Sequence, residues 1–529
     1  MKRVEITPTS EVIIIGAGLA GMIAACAAEA EGARVLLLDR SSLGMGTNSA
    51  LSNAVLAAPT ASYPPEHYVQ DTMEIGRRIN RKSWVTRVAH EAPRAIKRLL
   101  SFGLDARVSR DSYAVLSPFP EAIPGVNLVR KVAEQLKRAD GIGIQTDFYV
   151  TDILLDEARA VGVQGIDDRG QEVHLLASGV ILAAGGAGAV YLRNDNQKSS
   201  LGQGYALASR AGLQLWDMEF VQFFPLVLAE RRLPTMILYP PLPREVKLID
   251  AEGKDLSAIH GAKDLGEAIM ERRDAFSAAL YERLETTGPV YLDYRQVPDS
   301  WWDQHPMKGM TKLKFDFRNI PVAVAPAAHF FMGGVRIDDQ GQTDLPGLYA
   351  CGEMVWGLHG ANRRGGNALT ECLVSGLLAG TRAAIQSRRT PISLAPPENR
   401  QPEYAPASPL VSIRVFQKQL RDIAWKKAGV VRTGAGLREG LREILDLERR
   451  TASLRASNIQ ERKWLNDLQS AALVVKAIMT ASLEREESRG SFIRKDYPRE
   501  DNQQWLRNSC LTYGPENEAF TLRYPEAEA

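Results

Sequence analysis

Cysteine is scarce in this chain, and the few cysteines are scattered. Only Cys26, Cys351, Cys372 and Cys510 occur in 529 residues, and no two of them have the spacing of a CxxC pair or of a metal site. We therefore predict no metal, neither an iron–sulfur cluster nor a structural zinc, in this chain. Four isolated thiols also fit a reducing compartment.

Long apolar runs and an excess of one charge are lacking as well. The longest apolar stretch, Val12 to Ala28, is interrupted by three glycines and is too short for a membrane span. Met1-Lys2-Arg3 is followed by Glu5 and Pro8, so no secretory signal is expected. The formal net charge of +2 provides no field that would attract nucleic acid. We expect a cytoplasmic protein, held at the inner face of a membrane only if partner subunits hold it there.

A strand–loop–helix–strand unit opens the chain. The β-branched run Val12–Ile15 predicts a buried parallel strand, the Ala-rich run Met22–Glu31 a helix, and Arg34–Asp39 a second strand. The loop between the first strand and the helix reads Gly16-Ala17-Gly18-Leu19-Ala20-Gly21. This is the GxGxxG pattern of dinucleotide-binding folds.

The residue types of this loop suit a bound pyrophosphate. Gly16 permits the tight turn, Gly18 lets backbone N–H groups approach the phosphates, and Gly21 lets the helix pack on the strand. Asp39 ends the second strand, where an acid accepts a hydrogen bond from a ribose hydroxyl. We predict that Ala20 and Arg40 also contact the dinucleotide.

Two later segments favour FAD over NAD. Ile181–Gly186 and Gly347–Glu353 are apolar strands that end in small residues, as expected of strands that pack on the first unit in two-domain flavoproteins. The second segment brings the acid Glu353 towards the sugar chain of a flavin. FAD is therefore the predicted cofactor.

The rest of the chain divides by composition. Helical periodicity runs through 66–103 and 126–139, and residues 144–182 resemble a β-meander. A proline-rich region with one predicted helix at 265–284 interrupts the flavoprotein pattern, and a Pro/Ser-rich linker spans 388–409. The predicted domains are an FAD-binding domain (1–232 and 326–390), a capping domain (233–325) and a C-terminal helical domain (391–529).

Several motifs stand in one order along nearly the whole chain. They are Asp71-Thr72 to Gly103, Gly202–Ala208, Asp217–Phe223, His329–Val335, His359–Leu369, Glu487–Gly490, Asp496-Tyr497-Pro498 and Trp505-Leu506. In these motifs the chain resembles the flavoprotein subunit of the succinate dehydrogenase/fumarate reductase family, which also includes L-aspartate oxidase. The resemblance implies an α/β fold: a Rossmann-like FAD-binding domain of the glutathione-reductase type, an inserted α+β capping domain and a C-terminal helical domain.

The resemblance also implies a reaction and its residues. Hydride passes between flavin N5 and one carbon of a C=C or CH–CH unit beside a carboxylate or carbonyl group. By this resemblance Arg273, in Arg273-Asp274, transfers the proton on the neighbouring carbon, while His329 and Arg363 hold carboxylates. A surface charge pair and a core histidine are the plainer alternatives for Arg273 and His329. Further cofactor contacts implied by the family motifs are Gly46, Thr47, Asn48, Ala184, Gly185, Asp217, Arg363, Asn367, Ala368 and Leu369.

Four departures from the family pattern alter these expectations. The stretch 44–59 contains no histidine, so FAD is predicted to be non-covalent, and the usual Gly-Gly of that loop reads Asn53-Ala54. Phe224-Pro225 replaces a His-Pro, and Met236–Pro241 occupies the place of an Arg-Gly-Glu-Gly segment, so the proton shuttle behind Arg273 has no predicted position. The simplest inference is a substrate with one carboxylate and a larger or less polar second end, although plain fumarate or succinate stays open.

The electron partner and two alternative functions also follow from the resemblance. A separate iron–sulfur subunit is the expected partner, because this chain lacks the cysteines for a cluster. The Arg-rich segment 414–455 is either part of its docking face or a solvated helical surface. The alternatives are an enzyme resembling L-aspartate oxidase and an electron-relay flavoprotein with a degenerate substrate pocket.

Overall fold

A computed structural model of the chain describes residues 10–118, 123–259, 261–304, 307–390, 404, 406 and 413–525. The helices are α1 (Leu19–Ala30), α2 (Asn48–Leu51), α3 (Pro65–Ile75), α4 (Lys82–Leu100), α5 (Pro124–Leu136), α6 (Gln203–Arg210), α7 (Leu265–Glu271), α8 (Arg273–Thr287), α9 (Met307–Met310), α10 (Asn367–Arg389), α11 (Ile413–Ala428), α12 (Gly434–Thr451) and α13 (Ile459–Glu484). Four short 3-10 helices cover Gly188–Val190, Ser257–Ile259, Asp299–Trp301 and Gly352–Met354.

The strands are mostly short and belong to several sheets. In chain order they are β1 (Val12–Ile15), β2 (Val35–Leu38), β3 (Val55–Ala57), β4 (Ala106–Val108), β5 (Ser112–Val115), β6 (Ile142–Gln145), β7 (Tyr149–Asp156), β8 (Arg159–Ile166), β9 (Glu172–Leu176), β10 (Gly179–Leu182), β11 (Leu215–Trp216), β12 (Val221–Leu228), β13 (Lys247–Ile249), β14 (Val290–Asp293), β15 (Val322–Phe331), β16 (Gly334–Val335), β17 (Leu348–Ala350), β18 (Val431–Arg432), β19 (Ile493–Arg494), β20 (Cys510–Gly514) and β21 (Ala519–Arg523).

A five-stranded parallel sheet forms the centre of the first domain. Its strand order is β17-β10-β1-β2-β6, and β1 pairs in register with both β2 and β10. The four residues of β1 are at most 5% exposed, as expected for a strand that is covered on both faces. The predicted α/β architecture of the glutathione-reductase type is confirmed.

Helices α1 and α10 run parallel to each other. They pack closely because glycines in α10 allow the two helix backbones to approach. A Cβ on Gly376 would meet the carbonyl oxygen of Ala20, and one on Gly380 would meet that of Ala24. At 1.5 Å per residue, the N-terminus of α10 therefore projects about 12 Å beyond that of α1. In the described part of the chain α10 is also the one helix long and apolar enough to cross a membrane, but 61% of its apolar window is buried.

The predicted meander at 144–182 is correct in its middle and wrong at its ends. Strands β7, β8 and β9 form a three-stranded antiparallel sheet, but β6 and β10 belong to the parallel sheet. Likewise, the periodic stretch 66–103 is two helices, α3 and α4, separated by a turn. Arg77 and Arg78 in that turn have positive φ angles of 56° and 62°, a conformation that ends a helix.

The cap has a core of its own. Strands β12, β15, β14 and β13 form its sheet, and a second cluster of buried apolar side chains extends from Phe224 to Ala327. The predicted helix at 265–284 is in fact α7 and α8, because the backbone of Arg272 (φ −128°, ψ 21°) breaks the helix. Arg273 thereby becomes the first residue of α8. The predicted domain boundaries at 233 and 325 stay predictions.

The C-terminal region combines helices with strands from the end of the chain. Helices α11, α12 and α13 pack together, and β20 pairs with β11 of the first domain. The Arg-rich segment is not a single solvated face, since Arg432 is 1% exposed and donates to the carbonyl of Glu219 at 2.7 Å. The predicted linker at 388–409 lies almost entirely outside the described residues, and α10 continues through Arg389.

Candidate active site

The glycine loop lies where the parallel sheet meets α1. Gly16 has a φ of 108°, and a Cβ on Gly16 or Gly21 would collide with backbone atoms of Ala183 or Gly16. Asp39 Oδ2 accepts a hydrogen bond from the backbone N–H of Ala17 at 2.8 Å, so the predicted acid also braces the loop. Close packing within the chain thus explains why positions 16 and 21 require glycine.

Gly18 has a different reason to be glycine. A Cβ there would come no closer than 3.8 Å to Ser49 Oγ, so the chain itself leaves room for a side chain. Gly18 is also the N-cap of α1, and it has no side chain to cap the helix; in the first turn, the N–H of Leu19 donates to Ser49 Oγ. Free N–H groups at a helix N-terminus beside an open approach are what a pyrophosphate needs, so the loop fits a dinucleotide.

The loop after β2 is fastened to a distant segment. The Asn48 amide donates to Asn196 Oδ1 at 2.6 Å and accepts from the backbone N–H of Gln197 at 2.9 Å. Thr47 Oγ1 donates to the Gly44 carbonyl, and a Cβ on Gly46 would press on Ser41 Oγ. These predicted cofactor residues lie beside the glycine loop, because the backbone N–H of Leu19 donates to Ser49 Oγ at 3.2 Å.

Glu353 lies over the end of β10. A Cβ on Gly186 would run into its carboxylate, which places Glu353 next to Ala184 and Gly185. Gly185 has a φ of 72°, and nothing of the chain lies within 4 Å of where its Cβ would be. Burial raises the pKa of Glu353 to about 7. The acid and the open glycine therefore flank one space at the sheet edge.

The start of α10 supplies a second uncapped helix N-terminus. Its N-cap, Gly366, has a φ of 84° and provides no side-chain cap. Asn367 is fully buried, and its side chain accepts from the Tyr68 hydroxyl at 2.9 Å. The side chain of Asn367 is thus used within the fold, while the backbone N–H groups of Ala368 and Leu369 in the first turn stay available for a ligand.

Two predicted cofactor residues are engaged elsewhere. Arg40 forms a bidentate pair with Asp467 of α13, at 3.0 and 2.7 Å. Asp217 is fully buried, and its carboxylate accepts from Trp356, Asn508 and the backbone of Ser509. Burial and the neighbouring Glu219 raise its pKa. Both side chains thus make contacts within the chain, and their predicted contact with the cofactor stays a prediction.

The side chain of Arg273 and the backbone of Arg363 donate to one amide at the boundary between the cap and the first domain. Arg273 Nη2 donates to Asn362 Oδ1, and the backbone N–H of Arg363 donates to the same oxygen at 2.9 Å. Asn362 Nδ2 donates to Asp274 Oδ2 at 2.6 Å, and Arg273 Nε lies 3.6 Å from Asp274 Oδ1. The Arg273 side chain is only 16% exposed, so it is not part of a solvated surface pair.

Gln222 of β12 orients the side chain of Arg363. Gln222 Oε1 accepts from Nη2 at 2.8 Å and from Nε at 3.2 Å. The guanidinium also lies over the ring of Phe330, 4.6 Å from its centroid. Gln222 occupies one edge of the guanidinium, and Nη1 has only a 3.5 Å contact with the Arg364 carbonyl. The edge formed by Nη1 and Nη2 is the one that can bind a carboxylate.

The electrostatics of this cluster favour an anion. Burial, together with the positive charge of Arg273, lowers the pKa of Arg363 to about 10. Among the described residues Arg363 has no salt-bridge partner. Glu353 and Asp195 act on Arg363 without forming a salt bridge with it, and a buried cation without a paired carboxylate is costly, so a carboxylate bound at Arg363 would stabilise its charge.

His329 lies in a bulge of β15. Phe330 pairs with Gln222 and Ala328 with Phe223, so His329 is an extra residue without a partner in β12. Its Nδ1 lies 2.7 Å from Asp195 Oδ2. Bulges near active sites redirect side chains in this way. His329 is therefore not an ordinary core histidine.

Aromatic rings line the side of the cleft next to His329. The Phe224 ring lies 5.8 Å from that of His329 and 6.1 Å from that of Tyr239. Residues 236–238 pair with the edge of β12, through hydrogen bonds that join Leu228 to Met236 and Leu238 to Leu226. This pairing carries Tyr239 to a position close enough to act electrostatically on Arg363.

Sequence reasoning missed four residues of this site. Gln222 and Asn362 stand inside recognised motifs but received no role, whereas Asp195 and Tyr239 belong to segments with no signal. The latter two reach the site only through strand pairing between distant segments.

Two family models match the chain and identify what this fold and site are. A model described as an FAD binding domain matches residues 11–369, and one described as the C-terminal part of the fumarate reductase flavoprotein matches residues 417–529. Together with the dinucleotide loop, these matches define an FAD-dependent oxidoreductase. More specifically, the chain belongs to the fumarate reductase/succinate dehydrogenase flavoprotein family, whose members act on CH–CH groups. The family, the cofactor FAD and the enzyme class predicted from the sequence are confirmed.

Individual relatives cover the full length of the chain. A subunit of the fumarate reductase (CoM/CoB) of Methanothermobacter marburgensis is 30% identical, over 95% of this chain and 96% of its own. L-aspartate oxidase of Streptomyces coelicolor is also 30% identical, over 96% of this chain and 92% of its own. A solved structure of the quinol fumarate reductase of E. coli superposes with a TM-score of 0.84 at 22% identity, over 98% of this chain and 97% of that chain. It shows the shared fold.

Proposed function

We propose that this chain is the flavoprotein subunit of a complex that resembles fumarate reductase, and that it reduces or forms a carbon–carbon double bond beside a carboxylate or carbonyl group. The observation that supports this most directly is that Arg273 donates to Asn362, the residue before Arg363, while the buried guanidinium of Arg363 has no salt-bridge partner among the described residues. When bound, FAD supplies or accepts the hydride at N5.

Each catalytic residue receives one role in this proposal. Arg363 binds the carboxylate of the substrate through Nη1 and Nη2, while Gln222 holds the opposite edge of the guanidinium. Arg273 transfers the proton at the carbon next to the one that exchanges hydride. An arginine is a weak acid with a pKa above about 12, so it needs fixed neighbours for this role. Asn362 and Asp274 supply them.

The far end of the cleft indicates a substrate with a single carboxylate. Phe224 stands there where the family pattern has a histidine, and a buried carboxylate facing its ring would lack that hydrogen-bond donor. We therefore propose a substrate whose second end is larger or less polar than a carboxylate.

Arg273→Ala and Arg273→Lys test the proposed mechanism. Flavin reduction by a viologen dye should persist, whereas reoxidation of the reduced flavin by enoates should slow by about 10²- to 10⁴-fold, as for loss of a proton-transfer group. Arg272→Ala, a change at the exposed neighbouring arginine, is the matched control. Unchanged reoxidation in both Arg273 variants would refute the catalytic role and favour the electron-relay alternative.

The absence of a histidine in residues 44–59 supports non-covalent FAD. Acid precipitation should release all the flavin into the supernatant. Yellow colour that stays with the protein pellet would contradict this proposal.

A separate iron–sulfur subunit is the proposed electron partner. One relative is itself named as one of the subunits of a fumarate reductase. Purification of the native tagged chain should yield a co-purifying protein that contains iron and acid-labile sulfide, and any membrane association should be lost with that protein. If the purified chain carries no iron-containing protein and still accepts electrons in vivo, the proposal of an iron–sulfur partner is wrong.

The relative from Streptomyces coelicolor keeps an L-aspartate oxidase activity open as the second candidate. Hydrogen peroxide formed from L-aspartate and oxygen would establish it. Phe224 speaks against it, since a second carboxylate would face the ring rather than a donor.

A further inference from the structure

A carboxylate that no family motif contains is attached to His329. Asp195 Oδ2 lies 2.7 Å from His329 Nδ1, and the two side chains are 9% and 24% exposed. The backbone holds them together: the N–H of Asp195 donates to the Ala328 carbonyl at 3.3 Å, and the N–H of Ala328 donates to the Arg193 carbonyl at 3.0 Å. The pair is thus fixed by main-chain pairing between residues 193–195 and β15.

Neighbouring side chains fix the pair further. The Asn196 amide donates to Asp195 Oδ1 at 3.2 Å and to the carbonyls of Ala328 and His329 at 3.0 and 3.2 Å. Asn48 in turn donates to Asn196 Oδ1 at 2.6 Å. Asp195 is therefore held from both sides, and its position is tied to the predicted cofactor loop.

The carboxylate determines which nitrogen of His329 carries hydrogen. An ionised carboxylate only accepts, so His329 Nδ1 must donate to Asp195. Nε2 is left as an acceptor when the ring is neutral and as a donor when the ring is protonated. No described residue is hydrogen-bonded to Nε2, so this atom is the one offered to a ligand.

The charge of Asp195 also determines what can bind there. Asp195 is close enough to act electrostatically on both Arg363 and Glu353. A second substrate carboxylate at His329 would meet this negative charge and the aromatic wall of Phe224. With Nδ1 donating to Asp195, Nε2 of the neutral ring accepts, so a neutral group that carries an N–H or O–H can donate to Nε2 without that repulsion.

We propose that Asp195 is a positioning and specificity-determining residue. It directs Nε2 of the neutral His329 ring, as an acceptor, to the second end of the substrate, and it selects a neutral end with a hydrogen-bond donor, such as a primary amide, over a second carboxylate. The proposal rests on the proposed function, because it takes Arg363 as the site of the one carboxylate.

Nuclear magnetic resonance of the histidine side chains tests the positioning independently of catalysis. The chain has seven histidines, so ¹⁵N-labelled imidazole signals can be assigned with His329→Gln. We expect neutral His329 to be protonated at Nδ1 in the wild type and to lose that tautomer in Asp195→Ala. Asp168→Ala, at an exposed aspartate, is the control. The same tautomer in wild type and Asp195→Ala would overturn the proposal.

Fumarate and its monoamide test the selectivity, because one end is a carboxylate in the first and a neutral amide with N–H donors in the second. Their dissociation constants are measured from the perturbed flavin absorbance of the holoprotein. We expect the wild type to bind the monoamide more tightly, and Asp195→Asn to shift the ratio of the two constants towards fumarate by about tenfold, with flavin content unchanged. An unchanged ratio would refute the selectivity. If the wild type binds neither probe, the proposed function is wrong. The tautomer measured for His329 then still shows whether Asp195 positions this side chain.

Discussion

Glu353→Gln tests how strongly the cleft disfavours a negative charge. Burial raises the pKa of Glu353 from 4.5 to about 7, and the opposing effects of the Phe331 N–H and of Arg363 are smaller. At about 1.4 kcal/mol per pH unit, the difference between these two values corresponds to about 3 kcal/mol. The free energy of unfolding of the apoprotein falls by this amount once Glu353 ionises in the folded state.

The sign of the effect follows from proton binding. In the unfolded chain Glu353 loses its proton near pH 4.5, whereas in the folded chain it keeps the proton up to about pH 7. The folded state binds more protons over this interval, so its stability falls as pH rises from about 4.5 to 7 and is constant beyond. Asp217 contributes a fall of the same sign because its pKa is raised too, so wild-type data alone do not isolate Glu353.

Urea unfolding of the apoprotein between pH 5 and pH 8 provides the measurement. Relative to the wild type, Glu353→Gln should gain about 2–3 kcal/mol between these limits, because glutamine does not ionise. Glu134→Gln, a change at a half-exposed glutamate paired with Arg130 and Lys131, should keep a constant difference. A difference between wild type and Glu353→Gln that does not change with pH would refute the raised pKa.

Three further changes test other contacts of the site. Gln222→Leu should weaken binding of a carboxylate by about tenfold in a flavin-absorbance titration, because Arg363 loses the acceptor that orients it; an unchanged dissociation constant would show that the guanidinium is held otherwise. Phe224→His should shift the preference of the enzyme towards fumarate by about tenfold in kcat/KM, and no shift would contradict the role given to the aromatic wall. Asp467→Ala should destabilise the protein by about 3 kcal/mol, measured by urea unfolding, because Arg40 loses its bidentate partner; a loss below about 0.5 kcal/mol would show the pair to be dispensable.

The first domain could be predicted from the sequence because its signals are local. The β-branched run of β1, the glycine loop and the Ala-rich helix stand next to one another; Gly16 and Gly21 are required by close packing, and Gly18 keeps the approach to the helix open. Boundaries were less predictable where one residue breaks a periodic stretch. The backbone of Arg272 separates α7 from α8 without any proline or glycine to mark the position.

The catalytic cluster could be predicted only in part. Arg273, His329 and Arg363 were found through motifs that they share with a known family, and the structure places Arg273 and Arg363 together at Asn362. Their roles stay proposals. The partners of Arg40 and Asp217 within the chain, Asp467 and Trp356, could not be predicted, because they are remote in sequence.

The sequence by itself determined that this chain binds a dinucleotide at its first strand–helix unit, since that function depends on backbone freedom at a few adjacent positions. Only the tertiary structure decided what surrounds the substrate. The bulge at His329 and the pairing of residues 193–195 with β15 bring Asp195 to His329 across 134 positions of sequence. Hydrogen bonds of this kind depend on register between distant strands, and a linear pattern does not contain that register.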